Sequence, residues 1–220
     1  MSSAPAMKGP DTPVPLWRRP FHLIRTNLRA YLLVNVFAYG LFTVGFIVGL
    51  MFPALNAARS VALEDDGTAG LVQGLVATPP LFALVILAVN VGKLSLATIV
   101  LPSLVVPFAG FAFFGYWAVE TGITLAPTTP TAWVQFIPHS LTVVIELQAY
   151  VLLLLGTWLL GRHWVSPTTV GATTRGRAYL RGLGRVGILA LAAFVLLVVG
   201  ALWEAYSLRY FLYPLTEWLL

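Results

Sequence analysis

Six side chains that could do chemistry lie inside apolar runs: Asn35, Asn90, Lys93, His139, Glu146 and, near the outer end of the last run, Glu204. A charge held in hydrocarbon costs about 2.5–3.5 kcal/mol on insertion scales, so each should face a bundle interior or water and find a partner. Lys93 lies about 12 residues from the outer end of its run and Glu146 about eight from the outer end of its own, which puts their backbones within roughly 6 Å in depth. The spacing predicts an ion pair or a short hydrogen-bonded network between Lys93 and Glu146. Removing one partner alone should be worse than removing both, because the survivor is an unpaired buried charge. Two roles fit these residues: a latch that locks helices together, or a site that handles a proton, ion or polar solute. His139 and Glu146 are seven apart and share a helical face, but two turns are too long for both to grip one metal from a single helix. No metal and no cofactor are expected.

The elements that must position these groups are membrane helices. The 220 residues are 59% hydrophobic and 10% charged, with a mean hydropathy of +0.87. Soluble domains run nearer 45–50% apolar and 25% charged. Several runs approach the ~20 residues that cross a bilayer as a helix. The expected fold is therefore an all-α, polytopic transmembrane bundle of about five spans, at 31–52, 81–101, 103–119, 138–160 and 186–203. The run from Leu81 to Val119 is nearly twice the length of one crossing, so it must turn back, and Pro102 and Pro107 with Ser103 place a tight hairpin near its middle. Gly45 and Gly49 form a GxxxG that lets another backbone approach closely. Absence of cysteine removes disulfides and thiolate chemistry.

Residues 1–30 divide off from this 31–220 transmembrane domain. Met1 to Leu16 reads as a proline-rich cytoplasmic tail. From Trp17 to Ala30 the apolar Trp17, Phe21, Ile24 and Leu28 recur at helical spacing beside Arg18, Arg19, Arg25 and Arg29, as in an amphipathic helix at headgroup level. Arg177, Arg181 and Arg185 lie in a second basic segment between spans four and five. These seven arginines are expected to contact anionic lipid. With both basic clusters inside, five spans put the N-terminus in, the acidic loop at Glu64 to Asp66 outside, and the aromatic C-terminal tail outside. The net charge of +5 then belongs to cytoplasmic loops, and nucleic acid is not an expected partner.

No Walker glycine loop, no HExxH and no evident nucleophile set is present, so an enzyme is not expected. "RGLGRVG" at Arg181 to Gly187 sits at the inner end of a span among arginines, where lipid contact explains it better than phosphate binding by a βαβ unit.

The fourth run, "FIPHSLTVVIELQAYVLLLLGTWLLGR", resembles the proline-histidine-glycine to glutamate-leucine motif of the stage II sporulation protein M family, through Pro138, His139, Glu146 and Leu147, with Ser140 in place of the usual glycine. Ala88 to Val91, with Asn90, is similar to that family's asparagine-bearing second span, and "ALWEAY" at Ala201 to Tyr206 to its terminal alanine and glutamate signature. The family's asparagine-glycine near the end of span three has no counterpart in "FFGYWAVETG". The resemblance implies importance for Asn90, His139, Glu146 and Glu204. It also implies a non-enzymatic multi-pass component of the inner (plasma) membrane, linked in some members to cell-envelope remodelling and in some set beside AAA-type ATPases. The leading functional expectation is a scaffold or subunit of a membrane protein complex, with other subunits or self-association as partners besides the lipid bilayer. The alternative is a small-solute or ion transporter or channel in which Lys93 and Glu146 line the path.

Overall fold

The computed structural model describes residues 15–65 and 67–220. Asp66 and nearly all of the expected tail lie outside the described residues. Among these the secondary structure is helical, with no strand. Four helical elements are long and apolar enough to cross a membrane: Leu28–Met51, Pro79–Val105, Pro130–Val165 and Arg175–Tyr210.

A single 3₁₀ turn at Leu16–Arg18 leads into α1 (Arg19–Thr26). Asn27, at φ −125° and ψ 34°, breaks the chain before α2 (Leu28–Met51) begins. The expected continuous amphipathic helix over Trp17 to Ala30 is therefore divided among the 3₁₀ turn, α1 and the start of α2. Leu23 and Ile24 pack on the core, whereas Trp17 and Phe21 are exposed. The loop after α2 holds α3 (Pro53–Asp65) and α4 (Thr68–Leu75).

The next element is α5 (Pro79–Val89), a π-helical segment at Asn90–Val100, and α6 (Leu101–Val105), joined end to end. The hydroxyls of Ser95 and Thr98 donate to the carbonyls of Asn90 and Lys93, at 2.8 and 2.9 Å, each five residues back, which is the π spacing. The helix runs on through Pro102, so the expected hairpin there is corrected. The turn lies at 106–108. Pro107 forces Val106 into an extended conformation, φ −125° and ψ 118°. Phe108 then takes a left-handed φ of 68°, with its ring against Gly161. Pro102 lies inside this continuous helical element, and Leu101 before it keeps helical angles, φ −56° and ψ −45°. Consequently α7 spans Ala109–Leu125, six residues later than expected.

α8 (Pro130–Val165) opens on Thr129, whose hydroxyl accepts the Ala132 N–H at 3.1 Å, with Pro130 at the first position. α9 (Arg175–Tyr210) follows a short connector, and α10 (Leu212–Leu219) turns the aromatic tail into a helix. Much of the expected basic loop between spans four and five is thus helical, as the two 36-residue helices extend past the apolar segment. Every residue from Ala149 to Thr157 is buried, so over this stretch α8 is a central helix, buried around its full circumference.

Packing fixes relative direction. Along α2 and α7, Phe37 meets Phe111 at 5.5 Å between ring centroids, and Gly45 and Gly49 meet Val119 and Ile123, so these helices are parallel. Phe46 meets Phe136 at 5.1 Å and Tyr31 meets Gln148, so α8 is antiparallel to α2. Gly156 lies against Val186 and Trp203 against Pro138, so α9 turns back on α8. Phe82 and Ala83 cluster with Ala205, whereas Val100 shares a crevice with Val186, so α5 is antiparallel to α9.

Candidate functional site

Asn90 is the first residue of the π segment, and its side-chain amide donates to Oε1 of Glu146 on α8. Gly200 of α9 makes room for that carboxylate: a Cβ there would stand 3.3 Å from the Glu146 Cγ. Glu204 lies four residues further along α9, roughly 6 Å on, with Oε1 3.4 Å from Nδ1 of His139. The indole N–H of Trp203 donates to the Pro138 carbonyl at 3.0 Å, one residue before each member of that pair. Asn90, His139, Glu146 and Glu204 all line one cavity of about 290 Å³. Its remaining wall is mostly apolar, with Phe42 from α2, Trp117 and Leu125 from α7, and Val143 from α8. Thr68, Leu71, Val72 and Leu75 of α4 cover it.

A second cavity of about 310 Å³ shares Leu125 and His139 with the first. Its lining is more polar, with Asn56, Ser60, Thr124, Thr128 and Gln135. Asn56 also fixes the end of α7, donating to the carbonyls of Ile123, Thr124 and Ala126 at 2.9–3.1 Å. The His139–Glu204 contact therefore stands where the polar vestibule meets the carboxylate cavity.

The chain matches no family model, no curated protein and no solved structure.

Two expected members stand outside this cluster. Lys93 is exposed and makes no ion pair with Glu146, whose partner is Asn90. The cause is the π register. In an α-helix Asn90 and Lys93 are roughly 60° apart around the axis, but at about 4.4 residues per turn the separation grows to roughly 115°. Turning Asn90 toward α8 swings Lys93 away from it. Asn35 also leaves the network: its amide donates to the Tyr31 carbonyl at 2.8 Å within α2.

Other residues link the helices without having been expected to. Gln148 donates to the Tyr31 hydroxyl at 2.6 Å, and the Tyr39 hydroxyl donates to the Val144 carbonyl at 3.1 Å. Gln148 carried a readable signal, as a polar side chain two positions after Glu146 in the same run. Tyr31 and Tyr39 carried none, because tyrosine is ordinary near membrane interfaces. Tyr150, fully buried one turn from Glu146, has a hydroxyl without a hydrogen-bond partner.

None of the seven arginines expected at lipid lines the carboxylate cavity. Arg18 stacks over Trp17 at 4.5 Å. Arg25 and Arg29 are exposed, whereas Arg19 is half-buried. At the α8–α9 connection, Arg177 reaches Thr173 at 3.4 Å, Arg181 donates to the Val170 carbonyl at 2.5 Å, and Arg185 meets His163 Nε2 at 2.9 Å. Arg181 and Arg185 thus have intramolecular partners that the lipid-contact expectation did not include. Among the described residues no three His, Cys, Asp or Glu side chains are grouped so as to hold a metal ion.

Proposed function

We propose that this integral membrane protein binds a small organic cation in the Glu146–Glu204 cavity, as the binding step of a transporter or channel. The observation that carries the reading is the convergence of two carboxylates, one imidazole and one amide on a single cavity. The cavity has one more acidic than basic group, so it favours a positively charged occupant. Its walls are aliphatic and aromatic, Trp117 among them, which suits a cation with an apolar body. The polar vestibule on the far side of His139 provides the approach. The test is tetraethylammonium flux into liposomes containing the full chain. Flux lost in Glu146→Gln, with an unchanged elution profile, supports the reading; equal flux in both proteins, or none above empty liposomes, contradicts it.

The reading takes five crossings, with α7 as the third. Its 17 residues rise only about 25 Å, but it runs parallel to α2 along a close glycine contact. Alternation of direction through α2, α5–α6, α7, α8 and α9 supports that count. The arginines on α1 and at the α8–α9 connection support an inside N-terminus, an outside C-terminus, anionic-lipid contact and residence in the cell inner (plasma) membrane. Membership of the stage II sporulation protein M family belongs to the same proposal, supported by Asn90, His139, Glu146 and Glu204 sharing one cavity. No catalytic chemistry is assigned.

A second reading, a non-enzymatic scaffold or subunit of a membrane complex, is favoured by one feature that the cavity does not use: the exposed Lys93 in the middle of an apolar helix.

A further inference from the structure

Lys93 stands almost at the centre of the 27-residue apolar element Pro79–Val105. Fourteen residues precede it in that element and twelve follow, placing it at most roughly 21 Å and 18 Å from the two ends, since a π segment rises less per residue than an α-helix. A lysine stem extends roughly 6 Å, whereas the hydrocarbon half-thickness is about 15 Å. From that depth the ammonium cannot reach the headgroups. It is exposed, and the π register that turns Asn90 inward holds it outward.

No carboxylate of the described chain serves it. Glu146 and Glu204 face the cavity. Glu120 pairs with Arg59 at 2.8 Å, Glu217 accepts from Tyr213 on α10 at 2.6 Å, and Glu64 and Asp65 belong to α3 outside the apolar elements. The surface around Lys93 mixes small residues with the exposed apolar side chains of Val89 and Leu96. Ala88, Gly92 and Ala97 are exposed beside it, and a Cβ on Gly92 would meet no atom within 4 Å. Small residues of this kind let another helix backbone approach closely, and an intramembrane ammonium calls for a carboxylate at the same depth. Among the described residues a second copy of this chain supplies none, and a symmetric approach would set Lys93 against Lys93.

We infer that the face of the π segment around Lys93 docks a transmembrane helix of a partner membrane protein that carries an aspartate or glutamate at mid-membrane depth. The inference rests on the subunit reading, for which it names the contact and the partner's chemistry.

The test uses the full chain, donor-labelled, in liposomes with an acceptor-labelled 24-residue Leu-Ala transmembrane peptide bearing one central Asp. Energy transfer should saturate with the Asp peptide and be about tenfold weaker with a central Leu. Lys93→Leu should abolish that difference, and Lys93→Asp should restore transfer to a peptide bearing a central Lys. Equal transfer to the Asp and Leu peptides would overturn the site. So would transfer between two copies of the chain that disappears in Lys93→Leu, since it would make the face self-associating. Cross-linking in native membranes separates this result from the broader reading. A complex that survives Lys93→Leu intact keeps the subunit reading and overturns the Lys93 site; a complex lost in Lys93→Leu and regained in Lys93→Arg supports both.

Discussion

Replacing Gly45 by alanine tests the packing that holds the cavity's α2 and α7 walls together. A Cβ at Gly45 would overlap the Val119 carbonyl oxygen and stand 2.8 Å from the Val119 Cα, where ordinary contact begins at 3.4 Å. The obstruction is backbone, so relief requires the helices to move apart by about one ångström or more, with loss of dispersion along the seam. Overpacking of this kind costs about 1–3 kcal/mol, and backbone against backbone belongs at the upper end. Gly40, on the same helix, has no atom within 4 Å of its added Cβ. Gly40→Ala therefore carries the helix-propensity change, at most about 1 kcal/mol, without the clash. The difference between the two variants, measured by reversible unfolding in mixed micelles, should be about 2–3 kcal/mol against Gly45→Ala. Gly122→Ala meets the Phe42 carbonyl and the Phe46 nitrogen across the same seam. Its cost should be similar and less than additive with Gly45→Ala, since one separation relieves both clashes. Gly45→Ala and Gly40→Ala agreeing within 0.5 kcal/mol, taken as roughly the usual scatter of surface changes, would refute the parallel α2–α7 contact.

Two further outcomes follow from the site. Asn90→Ala leaves Glu146 without its amide donor and should destabilise by about 1–2 kcal/mol; in a double-mutant cycle with Glu146→Ala the coupling should be of the same size, while Lys93→Ala with Glu146→Ala should show none. Tyr150→Phe removes a buried hydroxyl that has no partner and should be neutral or stabilising within about 1 kcal/mol, whereas Tyr150→Ala should cost about 3–5 kcal/mol by opening a cavity between Phe114 and Trp117. Both are read in the same unfolding assay.

Hydropathy and length made the membrane helices legible in the sequence, and the cost of burying polar groups singled out Asn90, His139, Glu146 and Glu204. What it could not carry was register. Depth arithmetic at an α-helical rise and angle paired Lys93 with Glu146, and an eleven-residue π segment redirected both side chains of the Asn90–Lys93 stretch. The clue was present in hindsight as Ser95 and Thr98, each five residues after a residue whose carbonyl its hydroxyl satisfies, but serine and threonine are common enough in membrane helices to pass unnoticed. Pro102 and Pro107 looked equivalent as breakers. Only Pro107 turns the chain: Val106 before it is extended, as a residue preceding proline favours, whereas Leu101 before Pro102 stays helical. The contribution of α4 to the cavity was illegible for a different reason: its eight residues are too short to show a clear period, and they acquire meaning only by lying over the carboxylates.

The carboxylate cavity is the centre of the account, and direct binding is its plainest test. Tetraethylammonium titrated calorimetrically into the full chain in nanodiscs should give saturable binding that weakens at least about tenfold in Glu146→Gln, and again in the Glu146→Gln, Glu204→Gln double variant, with Lys93→Leu unchanged. Equal affinity for wild type and the double variant, or no saturable binding to wild type, would contradict it.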